Sequence, residues 1–183
     1  METSIWSPTE LNYVCDYPPF CHYGSGDIRT RRIMDIKDPT SRNYNSSLNY
    51  FNEELYTFFQ QLPEAQRFYS GTNVAIIPSS TVGKAPVVLS AVVNYLNLNF
   101  HNRFLYNSNF LVRNTSLTSA HNGGTRDEQA HMETITVNAR PNNLPLILLD
   151  DVYTSGASMR ACERLLRAQG VTVIYKLALG KTI

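Results

Sequence analysis

Two acidic residues and a run of small hydroxyl residues stand close together in the last quarter of this chain. Asp150 and Asp151 follow the apolar residues 146–149 and precede the segment Thr154-Ser-Gly-Ala-Ser158. Adjacent carboxylates suit sugar hydroxyls or a hydrated Mg²⁺ ion. The small residues predict a turn that opens a helix, where free backbone N–H groups favour a phosphate. The pattern therefore predicts a site for a phosphorylated sugar.

The elements that must position these residues are a strand and a helix. The continuous apolar run Leu146–Leu149 is typical of a buried parallel strand, which brings the two carboxylates to its carboxyl end. From Ala157 onward apolar residues fall on one helical face, and Gly170 is well placed as the C-terminal stop. Gly156 allows backbone geometry and close ligand approach that a side chain would obstruct. We therefore expect a strand, a tight turn and a helix.

The segment from Leu146 to Ser158 resembles the signature of type I phosphoribosyltransferases, which bind 5-phosphoribosyl-1-pyrophosphate (PRPP). The resemblance implies that Asp150 and Asp151 contact the ribose hydroxyls and bind Mg²⁺, directly or through water or substrate. It also implies that the 5′-phosphate is held by Thr154, Ser155, Gly156, Ala157 and Ser158. The alternative is a nucleotide-binding turn of another α/β fold, but this segment has neither the Walker pattern nor the dinucleotide glycine pattern.

A second polar connection, Pro78-Ser-Ser-Thr-Val-Gly-Lys84, follows another predicted strand. Its hydroxyl residues, glycine and single cation can receive a second anionic group. In the resembling family the corresponding loop binds the pyrophosphate of PRPP, which assigns that role to Ser79, Ser80, Thr81, Gly83 and Lys84. The alternative is an ordinary polar turn between a strand and a helix.

The long polar segment 113–131 contains a Gly-Gly pair that can act as a hinge. Loops of this length are usually functional or disordered. Type I phosphoribosyltransferases close a flexible loop of this kind over the substrate. The resemblance makes Arg113 and Arg126 candidates for contacts to the departing pyrophosphate, with His121 and His131 behind them. The alternative is a solvated loop with incidental charges.

Length and composition favour one soluble domain. The 183 residues carry 16 basic and 15 acidic side chains, which gives a net charge of +1 and no bulk attraction to nucleic acid or acidic membranes. No apolar run is long enough to cross a bilayer, so we expect a cytoplasmic protein without a membrane partner. We expect an irregular N-terminal layer over residues 1–45 and an α/β core over residues 46–183.

The remaining pattern predicts the fold class. Helices are expected over 44–62 and 85–96, and strands over 73–78, near 110–113, over 133–137 and over 171–179. Alternating strands and helices predict an α/β fold with a mainly parallel, twisted sheet flanked by helices. This Rossmann-like arrangement is the one implied by the resemblance, and it places ligands at the carboxyl ends of strands near the topological switch point.

The resemblance implies a Mg²⁺-dependent enzyme that binds PRPP and transfers the phosphoribosyl group to an unidentified acceptor, with release of pyrophosphate. Purine-salvage members generally grip the base with residues beyond the last strand, whereas this chain ends at Ile183. We therefore expect acceptor contacts from N-terminal aromatic residues, namely Tyr13, Tyr17, Phe20 and Tyr23. More often such rings simply pack.

Two further hypotheses stay open. The chain can be a non-catalytic regulator that binds PRPP or a nucleotide, or an effector or accessory subunit of a multi-component bacterial system such as anti-phage defence, alone or as an oligomer. Its spacing also loosely resembles the ComF group of phosphoribosyltransferase-like proteins, which often carry a zinc element. Here Cys15, Cys21 and His22 offer too few ligands for such a site, which favours free thiols.

Overall fold

The computed structural model describes residues 6–18, 27–63, 68–117 and 127–183. Seven strands in these ranges are Leu11–Tyr17 (β1), Thr72–Ile76 (β2), Phe104–Tyr106 (β3), Val112–Arg113 (β4), Ile135–Thr136 (β5), Leu146–Tyr153 (β6) and Ile174–Thr182 (β7). Five helices are Ile28–Lys37 (α1), Tyr44–Gln61 (α2), Val87–Asn99 (α3), Glu128–Thr134 (α4) and Ala157–Ala168 (α5). None of these helices combines the length and the apolar character that a membrane span requires.

The central sheet contains five parallel strands in the order β1-β7-β6-β2-β3. The predicted α/β fold with a mainly parallel sheet is confirmed. After β2 the chain continues to β3 on one side, and after β6 it continues to β7 on the other side. The topological switch point therefore lies between β2 and β6, where a parallel α/β sheet places its ligand crevice.

The core occupies both faces of the sheet. Side chains of β6 alternate between them: Ile147 and Leu149 join the cluster beneath α1, α2 and α3, and Leu146 and Leu148 join the cluster beneath α5. All four side chains are at most 2% exposed. Burial on both faces explains why this strand reads as a continuous apolar run rather than an alternating one.

Three elements lie close to the positions that the sequence predicts. Helix α2 begins at Tyr44 and ends one residue before Leu62, as expected from the helix-breaking effect of Pro63 on its predecessor. Helix α3 begins directly after Pro86. Helix α5 begins directly after Gly156, and the backbone turns left-handed again at Gly170, beyond its end.

The prediction of an irregular layer over residues 1–45 was wrong for the described part of that range. Strand β1 extends the sheet by pairing with β7, and α1 covers the sheet with Ile33 and Ile36 buried. The Asp27 carboxylate caps α1 by accepting hydrogen bonds from the N–H groups of Arg29 and Thr30. Strand β1 is stabilised by a partner far away in the sequence, which local periodicity does not reveal.

The predicted strands near 110–113 and over 133–137 needed correction as well. Only residues 112–113 and 135–136 pair, and they form a separate antiparallel ladder instead of joining the parallel sheet. Residues 128–134 form helix α4, and β3 was not predicted. Such short segments carry too few residues for a periodic signal, and their structure depends on burial of Phe110, Leu111 and Ile135 against the α5 side of the core.

Candidate functional site

A cavity of about 510 Å³ opens at the carboxyl ends of β2 and β6. Two segments border it: residues 78–84, here called the β2–α3 loop, and residues 154–158, here called the β6–α5 loop, which include the first two residues of α5. Asp150 and Asp151 line it from the end of β6. The structure thus brings both predicted loops and both predicted carboxylates to one cavity at the topological switch point.

The β6–α5 loop is built around Gly156, which adopts a left-handed conformation with φ of 75°. A Cβ atom at this position would lie 2.7 Å from Cε2 of the Tyr153 ring. Position 156 thus requires glycine for two reasons: its φ is positive, and the Tyr153 ring occupies the space that a Cβ atom would need. The backbone N–H groups of Ser155, Gly156 and Ser158 have no acceptor among the described residues, which leaves them available to an anion.

The two carboxylates differ in their surroundings. Asp150 is only 9% exposed, and its Oδ1 accepts a hydrogen bond of 2.8 Å from the N–H of Asp151. Burial, together with the neighbouring Asp151 carboxylate, raises the pKa of Asp150 well above its usual value. The Asp151 side chain is 40% exposed and forms an ion pair of 3.3 Å with Lys37 Nζ. Asp151 is therefore the more open of the two acids.

Lys37 is a cavity residue that the sequence reasoning missed. It lies at the C-terminal end of α1, and its ammonium group faces the Asp151 carboxylate. Helix α1 approaches β7 closely, because a Cβ atom at Gly180 would lie only 3.0 Å from Ile33 Cδ1. The capping residue Asp27, followed by buried isoleucines, was the available signal for this helix.

The β2–α3 loop is more open than the β6–α5 loop. Gly83 also has φ of 75°, but no atom lies within 4 Å of the position that its Cβ would take. The loop is held by residues that follow β4: the Val82 N–H donates to Ser116 Oγ at 2.9 Å, and the Leu117 N–H donates to the Ser80 carbonyl at 2.8 Å. Lys84 is exposed at the cavity.

Arg113 lies beneath the β2–α3 loop and is 5% exposed. Its Nε donates to the Ser79 carbonyl at 2.5 Å, its Nη1 to Thr134 Oγ1 at 2.6 Å, and its Nη2 contacts the Pro78 carbonyl at 3.5 Å. Burial lowers the pKa of this guanidinium. The sequence predicted a direct contact to pyrophosphate, whereas the structure shows Arg113 bonded mainly to the loop that it supports.

His131 stands beside Arg113 in the cavity wall. Its Nδ1 lies 3.2 Å from Arg113 Nη2, and the side chain is half-buried. Burial and the neighbouring guanidinium lower the pKa of His131. Of the two histidines predicted in this segment, His131 is at the cavity and His121 lies outside the described residues, as does Arg126.

Helix α4 connects the two loops. Thr134 at its C-terminal end accepts the hydrogen bond from Arg113, beneath the β2–α3 loop. At its other end, Glu128 forms ion pairs of 3.0 Å with both Arg160 and Arg164 of α5. Arg160 Nη1 also donates to the Ser155 carbonyl at 2.9 Å. Both candidate anion loops are therefore linked to one helix.

The N-terminal aromatic residues proposed for the acceptor do not line this cavity where they are described. The Tyr17 ring packs against the core, and the Tyr13 ring lies 5.1 Å from Lys181 Nζ. Phe20 and Tyr23 lie outside the described residues. Acceptor contacts from Tyr13 or Tyr17 therefore find no support in this geometry.

The zinc question concerns Cys15, because Cys21 and His22 lie outside the described residues. Cys15 is buried in β1, and its thiol donates to the Leu179 carbonyl at 3.6 Å. Burial raises the pKa of this thiol to about 11, which disfavours the thiolate that zinc requires. The part of the chain that the structure describes contains no group of three or more His, Cys, Asp or Glu side chains placed to hold a metal.

Asp150 and Asp151 nevertheless fit the hard oxygen ligands that Mg²⁺ prefers. Since no third acidic side chain joins them among the described residues, such an ion would complete its shell with water or substrate oxygens. A Mg²⁺ ion shared with the ligand stays a prediction.

Comparison with known sequences assigns neither a family nor a function to these residues. The functional argument therefore rests on the two loops and the two carboxylates that line one cavity. Neither the protein-family models nor the curated protein sequences that were compared with this chain match it.

Proposed function

We propose that this chain binds PRPP with Mg²⁺ and transfers its phosphoribosyl group to an acceptor, with release of pyrophosphate. The observation that carries the proposal is the set of groups that line one cavity: residues of two small-residue loops and two carboxylates. PRPP carries matching groups, since it joins a 5′-phosphate and a pyrophosphate through a ribose with free hydroxyls.

The resemblance assigns the ends of the ligand to the two loops. The 5′-phosphate would lie on the β6–α5 loop, whose free N–H groups stand at the start of α5. The ribose hydroxyls would bind Asp150 and Asp151, and the pyrophosphate would bind the β2–α3 loop with Lys84. Carboxylates repel phosphates, so within this cavity they suit the uncharged ribose of the ligand.

The proposed reaction needs no nucleophile from the protein. The bond between ribose C1 and the pyrophosphate oxygen breaks, its electron pair leaves with pyrophosphate, and the acceptor forms the new bond to C1. The side chains contribute by positioning the reactants and by stabilising charge. A bound Mg²⁺ ion would offset the negative charge of the leaving group.

We place the acceptor against an apolar wall of the cavity. Ile36 and Pro39 contribute to it on the α1 side, and Pro86, Val87 and Leu89 contribute on the α3 side. Val87 is 56% exposed, which leaves apolar surface open at the cavity mouth. An acceptor with a flat apolar ring would cover this surface, whereas a highly charged acceptor would not.

The test is calorimetry of PRPP binding with and without Mg²⁺. We expect Asp150→Asn combined with Asp151→Asn to abolish Mg²⁺-dependent binding while the circular dichroism spectrum stays unchanged. Glu53→Gln combined with Glu54→Gln is the matched control, because this adjacent acidic pair lies on α2 outside the cavity lining. Unchanged PRPP affinity in the double Asp variant would refute the ribose assignment.

A second candidate function is binding without turnover, as in a regulator or an accessory subunit of a larger assembly. The observation that favours it concerns Arg113. All three nitrogens of its guanidinium contact protein atoms, so they are not free to contact a leaving group. A pyrophosphate-release assay with PRPP, Mg²⁺ and a panel of ring acceptors separates the two functions. Release with any acceptor supports transfer, and tight binding without release under every condition supports the regulator.

A further inference from the structure

His131 occupies a position between the β2–α3 loop and helix α4 at the wall of the cavity. One ring nitrogen, Nδ1, contacts Arg113 at 3.2 Å. The other, Nε2, has no hydrogen-bond partner within residues 6–18, 27–63, 68–117 and 127–183. A half-buried polar group without a partner in a cavity is available to a ligand.

The contact to Arg113 fixes the protonation pattern of the ring. A guanidinium has donors and no acceptor, so Nδ1 must accept this hydrogen bond and carries no proton. The proton of the neutral imidazole therefore resides on Nε2, the nitrogen without a protein partner. Protonating Nδ1 would replace the hydrogen bond by repulsion between two cations.

Resting on the proposed function, we infer that His131 donates its Nε2 hydrogen to the departing pyrophosphate and that Arg113 is the positioning residue behind it. This reverses the order expected from the sequence, which placed the arginine in front and the histidine behind. The reversal follows from burial: Arg113 is 5% exposed beneath the loop, whereas His131 is half-buried at the cavity wall.

The chemistry of this contact is hydrogen-bond donation without proton transfer. A neutral imidazole is far too weak an acid to give up its Nε2 proton, so pyrophosphate departs with the electron pair of the C1–O bond and keeps its charge. His131 stabilises that charge through the N–H group, as neutral histidines do in other active sites. The proton released by an N–H acceptor passes to solvent.

Other charges near the site bear on the protonation of His131. Burial disfavours the cationic ring most, Arg113 disfavours it as well, and Asp127 favours it, so the pKa of His131 is lowered. The remaining charged groups that line the cavity have mixed signs, and they are Lys37, Lys84, Asp150 and Asp151. The net preference is for the neutral ring.

The experiment titrates inorganic pyrophosphate with Mg²⁺ into the full chain and into two variants. His131→Phe keeps a ring without a donor, and His131→Gln keeps an amide N–H close to the position of Nε2. We expect pyrophosphate affinity to fall about tenfold or more in H131F, the range for a lost hydrogen bond to a charged group, and to stay within about threefold in H131Q. Affinity for ribose 5-phosphate should stay unchanged in both variants.

The possible outcomes separate this inference from the proposed function. Wild-type protein that binds neither PRPP nor pyrophosphate would refute the proposed function itself. Wild-type binding of both ligands with unchanged pyrophosphate affinity in H131F would refute the role of His131 alone. A loss of both pyrophosphate and ribose 5-phosphate affinity in H131F would indicate a structural role and would also overturn the inference.

A second readout reports the tautomer in the wild-type protein and needs only H131Q, which keeps an amide N–H, for assignment. Nitrogen-15 spectra of wild-type protein labelled at histidine report the tautomer of each ring, and H131Q assigns the His131 signal. We expect the neutral tautomer with the proton on Nε2 at pH 7. The ratio of wild-type to H131Q pyrophosphate affinity should stay constant between about pH 6 and pH 8, where free histidine titrates. A proton on Nδ1, or a ratio that rises on acidification, would overturn the inference.

Discussion

The two loops at the cavity contain the same chemical groups but are built in different ways. The β6–α5 loop is shaped locally, because Tyr153 packs over Gly156 and α5 begins at the next residue. The β2–α3 loop is shaped from outside, because Arg113, Ser116 and Leu117 bind its carbonyl and N–H groups. The two loops thus lie at the same edge of the sheet, but the β6–α5 loop is held by local contacts and the β2–α3 loop by residues from elsewhere in the chain.

The two loops should therefore respond differently to substitution. A side chain added at Gly156 should distort the β6–α5 loop, whereas one added at Gly83 should fit into open space beside the β2–α3 loop. Conversely, removal of a remote side chain should damage the β2–α3 loop more than the β6–α5 loop. The following predictions test this contrast.

The largest effect is expected from a pair of glycine substitutions. Gly156 and Gly83 share φ of 75°, so alanine brings a similar backbone cost of about 1 kcal/mol at each. Only at Gly156 does the new Cβ also clash with Tyr153, which adds about 1–3 kcal/mol. We expect G156A to lower the free energy of urea unfolding by about 2–4 kcal/mol and G83A by about 1 kcal/mol.

Ligand binding should follow the same order. G156A should weaken ribose 5-phosphate binding, and G83A should leave it unchanged, as measured by calorimetry. Equal losses of stability in the two variants would contradict the local construction of the β6–α5 loop. Truncation of Tyr153 to alanine in the G156A background should recover part of the lost stability, because it removes the clash.

A smaller effect is expected from a pair of arginine substitutions. Arg113 supports the β2–α3 loop from a buried position, whereas Arg160 donates to the Ser155 carbonyl from an exposed one. R113M removes the donor to the partly buried Ser79 and Pro78 carbonyls and should lower the unfolding free energy by about 1–3 kcal/mol. R160M should lower it by less than about 1 kcal/mol.

The binding data should separate the two arginine variants further. We expect R113M to weaken pyrophosphate binding about tenfold and to spare ribose 5-phosphate binding, since a change of about 1.4 kcal/mol gives that factor. An R113M variant that loses affinity for both ligands equally would show that the loops are not supported independently. The nitrogen-15 signal of His131 should also shift in R113M and stay in place in R160M.

The smallest effect is expected from a substitution at the carboxyl end of β6, which differs in charge from the carboxyl end of β2. Strand β6 delivers the buried carboxyl of Asp150, whereas β2 ends in apolar residues. Because the folded state raises the pKa of Asp150, it retains a proton that the unfolded chain releases above about pH 4. Stability contributed by this site is therefore present below about pH 4, and it is lost as pH rises from there through the raised pKa of the folded state.

Asp150→Asn removes this pH-dependent penalty and keeps the side-chain oxygen that accepts from the Asp151 N–H. We expect D150N to be more stable than wild type by about 0.5–2 kcal/mol at pH 7, with a smaller difference at pH 4. Urea unfolding at the two pH values measures this difference. D150N that is less stable than wild type at pH 7 would contradict the assigned direction of the pKa shift.

Sequence patterns predict the parts of this fold that are long and periodic. Helix α2 shows apolar residues at three- and four-residue spacing, and four of them, Phe51, Leu55, Phe58 and Phe59, are buried as expected. Strand β6 shows the continuous apolar run of a strand covered on both faces. In both cases a single segment contains enough side chains to reveal its own period.

The same patterns miss elements that depend on distant partners. Strand β1 depends on β7, and the two-residue strands β4 and β5 depend on each other. The candidate site shows the same division, since Asp150 and Gly156 were found from local sequence but Lys37 was not. Lys37 reaches the cavity because α1 packs over β7, a contact made across more than 140 residues of chain.

Local sequence is enough to predict the α/β class and two small-residue loops that follow apolar strands, because strand burial, glycine and paired acids act within a few residues of one another. The relative placement of Arg113 and His131 depends on tertiary packing. Both side chains are polar, and the sequence does not show which is buried beneath the β2–α3 loop and which lines the cavity. That order depends on packing between β4, α4 and the β2–α3 loop, and burial then fixes which group can meet a ligand.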